Sequence, residues 1–284
     1  IFWRMLMKKS KWLALAGVSL LSVGVLVACS SKSNTSSNTY NYIYTADPET
    51  LDYLISNKGS TTDAVTNGVD GLLENVPSIA KDWTVSADGL TYTYKLRKGV
   101  KWYTSDGEEY AEVTAKDFVT GLKHAADKKT ESIYLAKDSV VGLADYFNGT
   151  DKDFSKVGVK ALDDYTLQYT LSQPEPYWNS KMTYSLFWPV NEEFLKSKED
   201  SYGKSTDPSS ILYNGPYILK SLTAKSSIEL AKNENYWDKK NVHFDGIKLS
   251  FYDASDQESL VRNFTDGAYS QARLYPTSSN FNSV

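Results

Sequence analysis

Between Thr91 and Ala126 the hydrophobic period changes from that of a strand to that of a helix, with turn residues at the seam. From Thr91 to Arg97 the side chains alternate, so Tyr92, Tyr94 and Leu96 share one face. Gly99 and then Ser105-Asp106-Gly107 break the run as turns, and Val100 and Trp102 form a short alternation between them. Thr114 opens a helix. Its hydroxyl is a cap for free amides, and Asp117 three residues later makes a capping box with Asp in the place of Glu. Phe118, Leu122 and Ala125 or Ala126 follow at helical spacing. A strand–turn–strand–helix unit of this kind requires one packed core on which all its parts converge, and it carries no chemistry of its own.

The remaining chain alternates short strands and short helices. A first strand is expected over 39–45, and a helix from about Ser60 with Val65, Val69, Leu72 and Leu73 on one stripe. Gly68 inside that helix costs roughly 1 kcal/mol against Ala. A short helix is expected over 140–147, ended by Asn148-Gly149. The alternating runs 157–162 and 166–171 form a hairpin around Asp163-Asp164-Tyr165. Short helices are expected over 177–182 and 192–196. A second hairpin joins 217–222 to 226–231, and a strand covers 247–252. A last helix over 255–264 has a capping box of Ser255 and Glu258, an apolar set of Leu260, Val261 and Phe264, and a stop at Gly267. No regular βαβ repeat is present, so the class is mixed α/β (α+β), not a doubly wound sheet.

Composition narrows the chemistry. The chain of 284 residues has a net charge of −4, which argues against a nucleic-acid partner. Two histidines, His124 and His243, lie far apart and outside any metal-ligand spacing. No GxSxG elbow, SxxK motif, P-loop or EF-hand loop occurs, and the carboxylate pairs Asp163-Asp164 and Glu192-Glu193 read as solvated turn residues. The expectation is a protein that is not an enzyme, with no cofactor and no metal. The 21 Tyr and 7 Trp suit either strand-rich packing or a recognition surface, with packing the plainer reading.

The N-terminus is more specific. Lys8, Lys9 and Lys11 precede the apolar run from Trp12 to Ala28, which ends Leu26-Val27-Ala28-Cys29. This is the pattern of a secretory signal peptide; at about 17 residues the run is at the short end for a membrane span. Residues 1–6 precede a better start at Met7 and have no structural role in this reading. The ending resembles a bacterial lipobox, which implies lipidation of Cys29, the chain's one cysteine. Each buried methylene of an attached acyl chain contributes roughly 0.8 kcal/mol of membrane affinity. Residues 29–39 are polar and read as a flexible tether spanning on the order of 18 Å.

Several pieces in order, among them Asp47 to Asp52, Gly71 to Leu73, Val76 to Trp83, Tyr92 to Trp102, Val113 to Val119, Gly158 to Asp164, Asn214 to Tyr217 and Asn235 to Trp237, resemble the family 5 extracytoplasmic solute-binding proteins. These are the oligopeptide-binding subunits of ABC importers. The run from Asp256 to Ser270 resembles the Gram-positive peptide-binding lipoproteins of the family in particular. Members fold as two lobes that close on the ligand. The resemblance therefore implies a class II periplasmic-binding-protein lobe, the first lobe only and incomplete, since the family enters its second lobe near Val284. The corresponding division is 40–69 and 194–267 as the core of lobe I, 70–193 as an inserted subdomain, and 268–284 as the start of the crossover. The turn after Asn75 is shorter than the family's.

For the site, the resemblance implies that the loop Asn57-Lys58-Gly59 and the ring of Tyr134 face a bound peptide. The residues agree in part: Gly59 lets a ligand main chain approach, and the following helix N-terminus offers amides. Tyr134, between Ile133 and Leu135, reads by itself as a core residue. The implied function is an extracytoplasmic, monomeric lipoprotein that captures oligopeptides and delivers them to ABC permease subunits, with peptide affinity weakened by the missing half of the clamp. A surface protein with a peptide-sensing or interaction role is the alternative, and a surface hydrolase is a more distant one.

Overall fold

The computed structural model describes residues 38–74, 76–253 and 257–273. The signal peptide, most of the tether, the lipidation candidate Cys29, the cap at Ser255 and residues 274–284 lie outside them.

The strands are β1 (Thr39–Tyr44), β2 (Ala80–Val85), β3 (Thr91–Leu96), β4 (Lys101–Tyr103), β5 (Glu109–Glu112), β6 (Val159–Asp163), β7 (Thr166–Thr170), β8 (Tyr217–Thr223), β9 (Ser227–Lys232) and β10 (Gly246–Phe251). The helices are α1 (Gly59–Val65), α2 (Ala115–Asp127), α3 (Tyr134–Lys137), α4 (Leu143–Asn148), α5 (Trp178–Lys181), α6 (Glu192–Lys198) and α7 (Gln257–Thr265). They build two four-stranded sheets and a ribbon. The first sheet has the order β1-β10-β9-β8, with β1 parallel to β10 and the other pairs antiparallel. The second has the order β2-β3-β7-β6 and is antiparallel throughout. Ribbon β4-β5 meets the backbone of Tyr213, exchanging two hydrogen bonds of 2.7 and 2.9 Å with Tyr103. The mixed α/β class expected from the sequence is the one observed.

The stretch from Thr91 to Ala126 folds as its pattern requires. Tyr92, Tyr94, Leu96, Val100, Trp102, Phe118, Leu122, Ala125 and Ala126 are all buried. Asp117 does more than cap. Its Oδ2 accepts the Thr114 amide at 2.9 Å and the buried Trp102 indole N–H at 3.0 Å, which ties the helix start to the ribbon. Burial raises its carboxyl to about 6 in spite of those two donors. Helix α2 also approaches the chain at 188–190 closely: a Cβ on Gly121 would stand 2.3 Å from the Trp188 carbonyl oxygen. The Val190 amide donates to the Asp117 carbonyl at 2.9 Å. Only glycine fits at such a crossing.

Four expectations change. Helix α1 ends at Val65, so Val69, Leu72 and Leu73 are buried without being helical. The reason is tertiary: the Gly68 carbonyl accepts the amides of Asn214 and Gly215 at 3.1 and 3.0 Å. A helix would have kept that carbonyl for its own ladder. Helix α4 starts at Leu143, because Gly142 is left-handed, with φ of 71°. Strands β2 and β5 were not expected. β2 carries a bulge between Ala80 and Asp82, and β5 is a polar run, so neither alternates cleanly. In α7, Leu260 and Val261 are half-buried and Phe264 is exposed, so its apolar set does not enter the core.

Candidate ligand site

The loop expected to face a ligand lies at the surface. Lys58 is the N-cap of α1, and its carbonyl accepts the Thr61 and Thr62 amides at 3.1 and 3.2 Å. Two of the amides offered by the helix start are therefore used internally. The Lys58 ammonium reaches Glu49 at 3.4 Å in an exposed pair. The Asn57 amide donates to Glu131 Oε2 at 3.2 Å, which ties the loop to the turn immediately before Tyr134. Around Gly59 the space is open: nothing lies within 4 Å of where a Cβ would be. No packing of this chain demands glycine there. Tyr134 is 71% exposed, so its reading as a core residue is wrong and its ring is free to meet a partner. Burial goes instead to Ile133, one residue earlier.

Beside this loop a hollow of about 220 Å³ opens at Ser56 and runs between α1 and the segment 183–188, with Thr62, Glu74, Thr183, Tyr184 and Trp188 in its walls. A second hollow of about 340 Å³ continues from it, sharing Glu74 and Thr183 and reaching Val76, Pro77 and Trp83. Together they form a groove from Ser56 to Trp83. Its far wall is fixed firmly. The Tyr53 hydroxyl donates to the Pro189 carbonyl at 2.7 Å, and the Trp188 indole lies on Gly71, where a Cβ would stand 2.6 Å from the ring. That contact explains the glycine of the Gly71-Leu72-Leu73 motif. Tyr134 lines neither hollow. A larger hollow of about 650 Å³ also lies against α1, over Tyr40, Tyr42 and Tyr217 of the first sheet and Phe244 just before β10.

The floor behind the groove is held by Asp70. Its Oδ2 accepts the Tyr236 hydroxyl at 2.7 Å and the Trp237 indole N–H at 3.2 Å, and its amide donates to Asn214 Oδ1 at 2.7 Å. Burial lifts this carboxyl to about 6, against the pull of its donors. The Arg97 guanidinium stacks on Trp237 at 4.3 Å. The motifs Asn214 to Tyr217 and Asn235 to Trp237 are thus structural: they lock the chain at 67–70 in place. His124 is likewise buried structure, 2.6 Å from Asp52 Oδ2, whereas His243 is exposed. Among the described residues, no group of three or more His, Cys, Asp or Glu is placed to hold a metal, and no helix is long and apolar enough to cross a membrane.

The groove residues Ser56, Glu74, Thr183 and Tyr184 were not singled out by the sequence. They come from separate segments, and none belongs to a motif with fixed spacing. The one available signal is the aromatic content of 177–188, where Tyr177 and Tyr184 are 57% and 55% exposed.

This arrangement, a mixed α/β lobe with a surface groove, has the fold of the substrate-binding-protein class. The sequence profile of the bacterial extracellular solute-binding proteins, family 5 (middle region), matches residues 74–281, and the chain is a member of that family. It is 68% identical over 287 residues to the oligopeptide-binding protein AmiA of Streptococcus pneumoniae, covering 98% of this chain and 44% of that protein. It is 61% identical to AliB of the same species, covering 97% and 43%. Among solved structures, the substrate-binding domain of an oligopeptide ABC transporter from Bacillus anthracis superposes with a TM-score of 0.74 at 30% identity, over 83% of this chain and 45% of that one. Listeria monocytogenes OppA bound to peptide gives 0.73 at 28%, over 83% and 46%. The chain spans less than half the length of the curated relatives and solved structures it matches.

Proposed function

We propose that this chain is the first lobe, still incomplete, of an oligopeptide-capturing lipoprotein that serves an ABC importer. The observation that carries the reading is the groove opening at Ser56, beside the exposed loop Asn57–Gly59, in a chain 68% identical to an oligopeptide-binding protein. An extended peptide has its own row of N–H and C=O groups, and a groove edged by open backbone and hydroxyls satisfies them without regard to sequence. In this reading Asn57, Lys58, Gly59 and Tyr134 contact the peptide, and Cys29 carries the acyl anchor that holds a monomer outside the membrane near its permease. Residues 40–69 and 194–267 form the core of lobe I, 70–193 an inserted subdomain, and 268–284 the start of a crossover.

One lobe of a clamp desolvates only one side of its ligand, so affinity is weak. An NMR titration of the isotope-labelled chain with a mixed oligopeptide pool tests both halves of the proposal. Shifts at Asn57, Gly59 and Tyr134 are expected only at millimolar peptide. No shift at any concentration overturns peptide capture, and saturation at micromolar peptide overturns the half-clamp.

A further inference from the structure

The geometry points to Glu74 as a subsite for the cationic side chain of a bound peptide, a Lys or Arg whose stem lies along Val76, Pro77 and Trp83. This rests on the peptide-capture reading above and gives it a preference that the general main-chain mode does not supply.

Glu74 stands where the two hollows join and lines both of them. Several other glutamates of the chain are matched by cations. Glu112 has Lys101 at 3.5 Å, Glu175 has Lys181 at 2.7 Å, and Glu192 has Lys116 and Lys196 at 2.5 and 2.6 Å. Among the described residues, no ion pair includes Glu74. Its nearest charged influence is the like charge of Asp70, and only the Gly71 amide supports its ionised form. Glu74 is exposed, yet neighbouring walls and that like charge hold its carboxyl above the ordinary range. A cation from outside would relieve it.

The surroundings suit one shape of cation. Beyond Glu74 the hollow of about 340 Å³ is lined by Leu73, Val76, Pro77 and the half-buried Trp83, together with Asn179, Ser180 and Thr183. Lys and Arg carry a long apolar stem and a charged head, so they cover such a wall while the head stays at the carboxylate. An indole face adds attraction for a nearby cation. At the other end, Ser56, Thr62 and Thr183 offer hydroxyls to the peptide main chain. The groove thus offers hydroxyls and apolar walls on both sides of one negative charge, with Val76, Pro77 and Trp83 beside it.

The test is an NMR titration of the full chain with two pentapeptides that differ only in a central Lys or norleucine. The wild type is expected to bind the Lys peptide about tenfold more tightly than the norleucine peptide, with the difference shrinking as salt rises. Glu74→Gln removes that preference and leaves the norleucine peptide unchanged; Glu74→Lys reverses it. Glu229→Gln, on the first sheet, serves as the charge control and changes neither. If wild type binds both peptides equally, or if Glu74→Gln weakens both alike, the subsite is overturned while peptide capture stands. If wild type binds neither, peptide capture itself falls and the subsite falls with it.

Discussion

Tyr92, Tyr94, Leu96, Leu167 and Tyr169 of the second sheet are buried. Tyr169 meets Trp178 at 5.4 Å, and Trp178 meets Phe187 at the same distance. On the first sheet Tyr40, Tyr42 and Ile247 are only half-buried, around the hollow of about 650 Å³. Both sheets are aromatic and both are antiparallel in most pairs, yet the first leaves part of β1 open beside that hollow, while its Tyr44, Ile218, Leu219, Ile228 and Leu230 are buried. The difference shows which positions of each sheet carry stability. Burial of a large apolar side chain contributes roughly 1.5–3 kcal/mol, and the second sheet with α2 and the ribbon gathers Tyr92, Tyr94, Leu96, Trp102, Phe118, Leu122, Leu167 and Tyr169 among its share of the core. The groove and the exposed loop are arranged around it.

The comparison is broken most directly by truncating one aromatic on each side. Trp102→Ala removes a fully buried indole and leaves Asp117 with the Thr114 amide as its remaining donor, so we expect a loss of about 3–5 kcal/mol in urea unfolding. Tyr40→Ala on the open part of β1 should cost about 1 kcal/mol or less. Equal losses would show that this part of the first sheet is as closed as the second.

Next in size is the crossing at Gly121. Ala there meets the Trp188 carbonyl, and we expect a loss of about 1–3 kcal/mol from overpacking. A smaller effect, spread over pH, comes from Asp70. Its carboxyl titrates at about 6 in the fold against 3.8 ordinarily, so the folded chain holds the proton more tightly. The stability this contributes is complete below about pH 4 and is lost as pH rises through about 6. Asp117 acts in the same direction over the same window. Urea midpoints of Asp70→Asn measured from pH 4 to 6 should fall less steeply than those of the wild type, by up to about 1.4 kcal/mol per pH unit. A steeper fall would mean that Asp70 is ionised throughout. The smallest effect is expected at Gly59, where Ala meets open space and stability should change by less than about 0.5 kcal/mol. A large loss would mean that the glycine serves the fold and not an approaching ligand.

The sequence was most legible where local signals agreed with the tertiary result. Alternation from Tyr92 to Leu96 and the Thr114–Asp117 start both survive because the core demands what propensity already favours. It was least legible where distant segments decide. The end of α1 is set by Asn214 and Gly215, which take the Gly68 carbonyl. β5 is a strand because Lys101 on β4 draws in Glu109 and Glu112, at 3.2 and 3.5 Å, and no hydrophobic period announces that. Of the site, the loop at Asn57 was visible as a turn before a helix. The groove was not, since Ser56, Glu74 and Thr183 converge only after the second sheet and the 183–188 segment are in place.

The parallel pairing of β1 with β10 joins the two ends of the described chain, Thr39 against Gly246 and Tyr44 against Phe251. A strand that emerges first therefore waits for one that emerges last. As the chain folds, the second sheet, whose strands all lie between Ala80 and Thr170, has its partners at hand early. β1 must remain extended and unpaired until β10 arrives, and closing so long a loop is slow. The last step in completing the first sheet is thus the seating of β1, after the second sheet has taken shape.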